Sequence, residues 1–496
     1  MRKSIALKYS GLACAAILYL ATSTAGLAQG SGVIETKQYD NGGIYEGTFE
    51  NGKPNGQGTY RLPNGYYYEG QWQNGEIKGQ GIAHFPNGSV YEGEFADSKF
   101  NGFGKLTLPD GTIYEGDWVN NEFTGNGIAI YANGVQYEGG FRNRRHHGVG
   151  TMKSPNGYVY QGEWVNGAKE GEGTITYPDG TIYKGSLRNN QREGQGVLTM
   201  PEGLKYDGEW TANAFDGTGT LTQPNGDVYV GQFKAGKRNG TGKQTYSNGD
   251  IYTGMFQNDR RHGQGSFVTK DGFRYTGNWV MGHFKGTGEM AFRDGSVYKG
   301  EFDNDLPDGI GVMTHPDGSS YEGEWKAGVQ DGKGVSHYAN GRVYEGEFKD
   351  GKHQGFGVLT ETDGYRYEGD WVGGMRQGHG KVTYANGDTY EGGFVADRRE
   401  GQGTMKTADG LTYTGSWKAG KFDGKGIATY PNGDVYEGMF VKGKRQGIGT
   451  LRFNSGEVQT GTWENGAFVP ARVSGETAGT GNNTVPNTGT TLEGGN

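Results

Sequence analysis

The stretch that decides the fold is residues 321–342, YEGEWKAGVQDGKGVSHYANGR, because its pattern recurs along most of the chain. Its leading tyrosine, Tyr321, belongs to a series that returns every 23 residues from Tyr45 to Tyr436 without a slip. Gln459 keeps the same register for a nineteenth copy. An unbroken short period of this kind is typical of repeats that bury their apolar surface against neighbouring repeats.

The glycines follow the same period. Of 99 glycines, 74 occupy four positions: two residues after the tyrosine, both ends of a Gly-x-Gly, and the second residue of an Asn-Gly or Asp-Gly step. Without a period, this much glycine would predict disorder. Glycines at fixed positions, together with 32 tyrosines and 22 phenylalanines, indicate an ordered array instead.

Each repeat is predicted to be a β-hairpin. An Asn-Gly or Asp-Gly step such as Asn64-Gly65 precedes each tyrosine in 17 of 19 copies, and this dipeptide favours a type I′ turn. After the turn, residues alternate between two faces, so Tyr114, Gly116 and Trp118 share one face. Alternation over short runs bounded by turn residues predicts strands.

A second strand follows a longer polar loop, for which we expect the span from Asn166 to Glu170 in one repeat. In that strand Ile175 and Tyr177 fall on one face. Short connections imply antiparallel pairing between sequence neighbours. The predicted fold is therefore all-β: an elongated, single-sheet antiparallel β-meander with two strands per 23-residue repeat.

At this point the pattern Y-E-G-x-[WF]-x-x-G, followed by G-x-G and then [DN]-G, resembles the membrane occupation and recognition nexus (MORN) repeat. Residues 321–342 match it almost position for position, and the resemblance covers about 45–466. It implies about 19 tandem repeats and an antiparallel β-meander. It also implies scaffolding, self-association or contact with membrane lipid. Together with the N-terminal signal described below, we expect an exported bacterial type of MORN protein.

The aromatic residues of the repeat are the candidate structural residues. Eight of the nine tryptophans fall four residues after a repeat tyrosine, and Trp463 falls four after Gln459. They mostly alternate with phenylalanine, which predicts interdigitated packing. The alternative is a solvent-open aromatic groove for sugars or peptides. The residues concerned are Tyr45, Tyr68, Tyr91, Tyr114, Trp72, Trp118, Trp164, Trp210, Trp279, Trp325, Trp371, Trp417 and Trp463.

The chain begins with the features of a secretory signal peptide over residues 1–28. Arg2, Lys3 and Lys8 precede a short apolar run, and small residues end at Ala28. We expect export to a bacterial periplasm or cell surface, with an uncleaved membrane anchor or a lipoprotein at Cys14 as the less favoured alternatives. Beyond the signal we expect a leader at 29–38, the array at 39–466 and a disordered Gly/Thr/Asn-rich tail at 467–496.

Charge argues against nucleic acid as a partner, because the net charge is −8 and no basic face is sustained. Local basic clusters do fall in the same part of several repeats. Solvated loops are the simplest interpretation of these clusters, and contact with an anion or a phospholipid headgroup is the alternative. The candidate contacts are Arg144, Arg145, Arg260, Arg261, Arg398 and Arg399.

The sequence contains no catalytic motif that supports an enzyme: no H-E-x-x-H, no Walker A loop, no G-x-S-x-G and no C-x-x-C. A carboxylate row that includes Glu92 and Glu115 repeats one environment, whereas acid–base catalysis needs two. Cross-strand neighbours such as Lys105 and Thr107 favour a sheet-face ladder over a calcium site. We therefore expect no metal and no cofactor.

Two function classes stay open. The favoured one is a non-catalytic scaffold of the cell envelope that mediates protein–protein association or self-association. The alternative is a binding module for membrane-lipid headgroups or cell-wall glycans, which would use the basic clusters or the aromatic residues.

Overall fold

The computed structural model describes residues 32–470, and every regular element in this range is a β-strand. The 39 strands belong to one antiparallel sheet, with two strands per repeat, and the sheet is not closed into a barrel. The predicted all-β antiparallel meander is confirmed. The predicted signal peptide and residues 471–496 of the predicted tail lie outside the described residues.

Seven-residue and nine-residue strands alternate along the chain. The first and last strands are shorter: β1 spans Glu35–Gln38, within the predicted leader, and β39 spans Ala467–Val469, within the segment that the sequence assigned to the tail. The seven-residue strands, which carry the repeat tyrosines, are β2 (Ile44–Glu50), β4 (Tyr67–Gln73), β6 (Val90–Ala96), β8 (Ile113–Val119), β10 (Gln136–Arg142), β12 (Val159–Val165), β14 (Ile182–Arg188), β16 (Lys205–Thr211), β18 (Val228–Lys234), β20 (Ile251–Gln257), β22 (Arg274–Val280), β24 (Val297–Asp303), β26 (Ser320–Lys326), β28 (Val343–Lys349), β30 (Arg366–Val372), β32 (Thr389–Val395), β34 (Thr412–Lys418), β36 (Val435–Val441) and β38 (Val458–Glu464).

The nine-residue strands carry the Gly-x-Gly. They are β3 (Lys53–Arg61), β5 (Glu76–His84), β7 (Lys99–Thr107), β9 (Glu122–Ile130), β11 (Arg145–Lys153), β13 (Ala168–Thr176), β15 (Gln191–Thr199), β17 (Ala214–Thr222), β19 (Lys237–Thr245), β21 (Arg260–Val268), β23 (His283–Ala291), β25 (Leu306–Thr314), β27 (Val329–His337), β29 (Lys352–Thr360), β31 (Met375–Thr383), β33 (Arg398–Lys406), β35 (Lys421–Thr429) and β37 (Lys444–Arg452).

The described chain divides into two units. The first runs to Pro178 and also includes Leu187–Asn190, and the second comprises Asp179–Ser186 and the chain from Gln191 onward. In both units the pairing follows one register: the glycine after each tyrosine pairs with the second glycine of the Gly-x-Gly, as in Gly47 with Gly58 and Gly323 with Gly334.

The Asn-Gly step before each tyrosine is not the type I′ turn that the sequence predicted. In the first such turn between repeats, Gly65 has a φ of 95° but Asn64 is not among the left-handed residues of the described chain. The Gly65 N–H donates to the Leu62 carbonyl at 3.1 Å, and the Tyr66 N–H donates to the Asn64 side chain at 3.0 Å. The Asn64 side chain therefore closes a local turn of its own, and only the glycine needs a positive φ.

The type I′ turn lies at the other end of the hairpin, where the sequence predicted a longer loop. Asn166 and Gly167 both have positive φ, 49° and 90°, and β13 begins at the next residue. The same two-residue turn recurs at Asn51 and Gly52, with φ of 50° and 77°. Since two left-handed residues match the twist of the flanking strands, the loop prediction from Asn166 to Glu170 was too long.

A β-bulge that recurs in the nine-residue strands decides which side chains share a face. Gly47 pairs with Gly58 and Phe49 pairs with Pro54, so one residue of β2 opposes three residues of β3. Gly56, at the centre of those three, has a φ of 83°. The bulge resets the alternation of the strand, so the residue nine after the tyrosine lies on the same face as the aromatic rings.

The sheet therefore has two unlike faces. The aromatic face carries the repeat tyrosines, the rings four residues later, the paired glycines and the residues nine after the tyrosines, and its tyrosines from Tyr45 to Tyr436 are almost all fully buried. The polar face carries the alternate residues, including the carboxylate row. Lys105 lies between Glu92 and Glu115 in the register, as the ladder interpretation predicted, whereas Thr107 pairs with Val90 and Ile113 instead.

Candidate functional site

The repeat tyrosines are held by a packing arrangement that needs glycine. A Cβ atom at Gly47 or Gly58 would overlap the Tyr45 hydroxyl, so the ring lies against a glycine pair. The Tyr45 hydroxyl donates to the Thr48 carbonyl at 3.0 Å. Burial raises the pKa of Tyr45 to about 12, since the charged phenolate would lose water. These tyrosines are packed and hydrogen-bonded, and their hydroxyls stay protonated at neutral pH.

Seventeen of the eighteen tyrosines donate in this way to the carbonyl three residues later, at 2.7–3.2 Å. Tyr114 is the exception. Its ring is half-buried, and the ring of Phe123, which is 1% exposed, lies against Gly127 instead. In this repeat Phe123 therefore takes the buried place that the tyrosine has in the other repeats. The sequence does not reveal this, because Tyr114 keeps the usual 23-residue spacing.

All nine tryptophans join consecutive repeats. Each indole N–H donates to the carbonyl of the second Gly-x-Gly glycine of the preceding repeat, at 3.0–3.4 Å, as Trp118 does to Gly104. Eight of them are buried, and Trp72 alone is half-buried. Because a buried indole N–H needs a partner and here has one within the sheet, the arrangement favours packing over an open aromatic groove.

A position that sequence reasoning missed completes the aromatic face. We call the residue nine after each tyrosine the stacking position. In six repeats its ring lies face to face with the tyrosine, with centroids 3.5–3.8 Å apart and planes within 18°. The signal in the sequence was the recurrence of Phe, His or Arg at this spacing. It was missed because strict alternation along the strand, without the bulge, does not place this residue on the aromatic face. The stacked residues are Phe100, His146, Phe215, Phe284, His353 and Phe422.

Arginine takes the stacking position in six other repeats. There the guanidinium lies 5.1–5.7 Å from the tyrosine ring, and in four repeats it also lies 4.1–4.8 Å from the next tryptophan. A cation over the face of an aromatic ring is attracted by the ring quadrupole. These arginines therefore belong to the packing of the aromatic face. They are Arg192, Arg238, Arg261, Arg376, Arg399 and Arg445.

The structure separates the six arginines that the sequence offered as anion contacts. Arg261 and Arg399 occupy stacking positions; Arg399 is 7% exposed and donates to the Gly420 carbonyl at 3.1 Å. Arg144 donates to the Asn121 carbonyl at 3.0 Å and lies 3.7 Å from Glu122. The remaining three, at the first residue of a nine-residue strand, are exposed: Arg145, Arg260 and Arg398.

Within residues 32–470, no three His, Cys, Asp or Glu side chains come together as a metal site requires. The same part of the chain contains no helix long and apolar enough to cross a membrane. Burial lowers the pKa of two histidines, His146 and His353, to about 4. Both are stacking residues on a tyrosine, so this shift follows from packing.

The repeat match decides the family. The model of the MORN repeat matches eighteen segments between residues 45 and 458, from 45–65 to 436–458. The chain belongs to the MORN repeat family. A nineteenth MORN copy, led by Gln459, is not among the matched segments and stays a prediction, although β38 and β39 pair there as a hairpin and Trp463 lies on the aromatic face.

No curated protein matches this MORN chain. Among solved structures, the TCP domain of Drosophila melanogaster SAS-4, in complex with a proline-rich motif of Ana2, is 15% identical, with a TM-score of 0.18 over 36% of this chain and 84% of that chain. A catalytically inactive virginiamycin B lyase from Staphylococcus aureus with quinupristin is 10% identical, with a TM-score of 0.11 over 57% and 100%. Similarity at this level carries no argument about function.

Proposed function

We propose that this MORN protein is a non-catalytic scaffold of the cell envelope that binds a protein partner through the polar face of its sheet. The observation that carries the proposal is that the aromatic face is occupied by its own packing. The repeat tyrosines are buried and hydrogen-bonded, and the tryptophan N–H groups are bound to glycine carbonyls of the preceding repeats. The polar face is therefore the surface left for recognition.

The polar face carries exposed apolar side chains where the repeat usually has a polar one. Twelve residues after the tyrosine, Phe103 and Val149 are 57% and 70% exposed in the first unit, and Ile310 and Phe356 are 57% and 54% exposed in the second. Water-exposed apolar groups of this size gain free energy when a partner covers them. Within each unit these two residues are two repeats apart, and Ile448, 76% exposed, has the same position four repeats after Phe356.

Four of these apolar residues stand across from a carboxylate on the next strand, whereas Ile448 stands across from Thr462. Phe103 pairs with Asp117, Ile310 with Glu324, and Phe356 with Asp370. An apolar group beside a carboxylate suits a partner that presents an apolar side chain next to a lysine or arginine. The proposed partner is therefore a basic, amphipathic protein segment. In the case of self-association, that segment belongs to a second copy of this chain.

The binding-module alternative has less support. Two of the six arginines proposed for a lipid headgroup are stacking residues, and Arg144 is engaged with Asn121 and Glu122. The exposed Arg145 stands far along the chain from the exposed Arg260 and Arg398. Sedimentation with anionic vesicles and with peptidoglycan tests this alternative directly, and binding to either would favour it over the scaffold.

The test of the scaffold is crosslinking followed by mass spectrometry in the organism that makes the protein. We expect partner peptides crosslinked to strands β25–β31, and loss of that partner in the double variant Ile310→Thr/Phe356→Thr. Thr218, Thr241 and Thr287 occupy the same repeat position, so the change is compatible with the fold. The control is Gln402→Thr at the equivalent position. An unchanged partner yield in the double variant would overturn the proposed surface.

A further inference from the structure

A cavity of about 600 Å³ lies in the first repeats, within the first unit. Four aromatic rings line it, those of Tyr39, Tyr60, Tyr66 and Trp72, together with the polar side chains of Asp40 and Asn41. This volume falls in the range of small-molecule sites, which combine aromatic walls with a few polar groups. The MORN packing described above does not account for it.

The cavity lies beside the one half-buried tryptophan, Trp72. The stacking residue of one repeat covers the tryptophan of the next: His146 lies 4.8 Å from Trp164, and Arg192 lies 4.2 Å from Trp210. The residue that precedes Trp72 in this role is Pro54. Trp72 is half-buried while the other eight tryptophans are buried. Proline alone does not expose the indole, because Pro307 precedes Trp325 in the same role and Trp325 is buried.

The rings of the cavity are set at steep angles to one another. Tyr39 and Tyr60 have centroids 6.1 Å apart with planes at 76°, and Tyr60 and Trp72 have centroids 6.0 Å apart at 74°. The rings therefore pack edge to face against one another along the wall of the cavity. Because the face of an aromatic ring carries partial negative charge, a wall built mostly of aromatic rings suits a cation.

Two further observations point to a cation. The carboxylate of Asp40 lines the cavity and makes no ion pair with any residue from 32 to 470. Residues 32–98 also carry nine acidic and four basic side chains, a balance of −5 that disfavours an anionic ligand.

We propose that this cavity binds an organic ammonium group, such as the quaternary amine of a small molecule or of a lipid headgroup. The rings of Tyr39, Tyr60, Tyr66 and Trp72 line the space for the cation, and the Asp40 carboxylate neutralises its charge. The cavity is larger than one quaternary ammonium group, so the remaining space holds the part of the ligand that carries it. This site is separate from the polar face and does not depend on the scaffold role.

The test is a ligand-observed NMR titration of the full-length protein with choline chloride. We expect binding with a Kd on the order of 1 mM, weakened at least about fivefold in Asp40→Asn and in Tyr66→Ser. Ser89 occupies the position of Tyr66 in the next repeat, so the serine variant suits the fold. The matched control is Tyr365→Ser, the same position in the second unit, which should bind like the unchanged protein.

The neutral analogue 3,3-dimethylbutan-1-ol has the shape of choline without its charge, and we expect no binding by it. Absence of choline binding up to about 20 mM, equal binding of the neutral analogue, or binding unaffected by both variants would each overturn the proposal. Sedimentation with phosphatidylcholine vesicles identifies the source of the group. Co-sedimentation lost in Asp40→Asn indicates a lipid headgroup, whereas choline binding without co-sedimentation indicates a soluble amine.

Discussion

The rings of Tyr344 and His353 stack with their centroids 3.5 Å apart and their planes within 8°. The His353 Nε2 atom also lies 2.9 Å from the Tyr338 hydroxyl. In the first unit, Tyr137 and His146 repeat the arrangement at 3.7 Å. A protonated imidazole in this position would lose water without gaining a carboxylate partner, so burial lowers the pKa of both histidines to about 4.

The first prediction is that the array loses stability as pH falls from 6.5 to about 4. In this window the unfolded chain binds protons at histidine that the folded chain does not bind, so lower pH favours unfolding. We expect a smaller fall in melting temperature between pH 7 and pH 5 for His146→Phe/His353→Phe than for the unchanged protein. Phenylalanine already fills the stacking position at Phe100 and Phe215.

The control for this prediction is His147→Asn, because His147 neighbours His146 but is not a stacking residue, and Asn55 holds its position in the first repeat. Its melting temperatures should follow those of the unchanged protein at every pH. An equal fall in the double phenylalanine variant would show that other groups cause the acid sensitivity.

The second prediction concerns the tyrosine hydroxyl. Tyr137→Phe removes the hydrogen bond to the Gly140 carbonyl, 2.9 Å long, and should lower the local free energy of opening by about 1 kcal/mol. Tyr114→Phe should change it by less than about 0.5 kcal/mol, since Tyr114 is half-buried and lacks this bond. Hydrogen exchange measured on peptides suits this test, because a long repeat array does not unfold in two states. Equal losses of opening free energy in the two variants would contradict the finding that Phe123, and not Tyr114, occupies the buried place in its repeat.

The period, the strands and the antiparallel pairing could be predicted from the sequence because each depends on local alternation and short connections. The place of the glycines could also be predicted, since the room beside a ring explains Gly47 and Gly58. The turn types could not, because Asn64-Gly65 and Asn51-Gly52 read alike. What separates them is the Asn64 side chain, which binds the Tyr66 N–H and keeps Asn64 out of the left-handed region.

The candidate site was harder to predict for a related reason. Arg398 and Arg399 are adjacent in β33 and belong to one basic cluster of the sequence. Nothing in the repeat pattern indicates that one of the two side chains is exposed and the other buried. The bulge at Gly401, with a φ of 76°, sets Arg399 on the aromatic face. The cavity beside Trp72 could not be predicted either, because Trp72 has the same place in its repeat as the eight buried tryptophans.

The third prediction uses these neighbouring arginines. Arg399→Ala should destabilise its repeat by about 1–3 kcal/mol, because the side chain packs 4.6 Å from the Trp417 ring and binds the Gly420 carbonyl. Arg398→Ala should change stability by less than about 0.5 kcal/mol, since Arg398 is exposed. The measurement is hydrogen exchange of peptides from β33 and β34. A larger effect at Arg398 would reverse the assignment of the two side chains.

The fourth prediction concerns the glycine pair. Gly150→Ala places a Cβ on the Tyr137 hydroxyl and ring and should cost about 3 kcal/mol, or displace the ring. Gly148→Ala has open space around the new atom but a φ of 75°, so it should cost only about 1 kcal/mol. Urea midpoints and peptide hydrogen exchange would check the difference. A milder effect at Gly150 than at Gly148 would mean that the ring does not lie against this glycine.

The most direct test of the central claim, that the aromatic face is consumed by its own packing, is iodide quenching of tryptophan fluorescence in the folded protein. The eight buried tryptophans should be protected, and the weak quenching that remains should disappear in Trp72→Phe. Quenching of most of the emission, unchanged in that variant, would show an aromatic face open to solvent and would contradict the account.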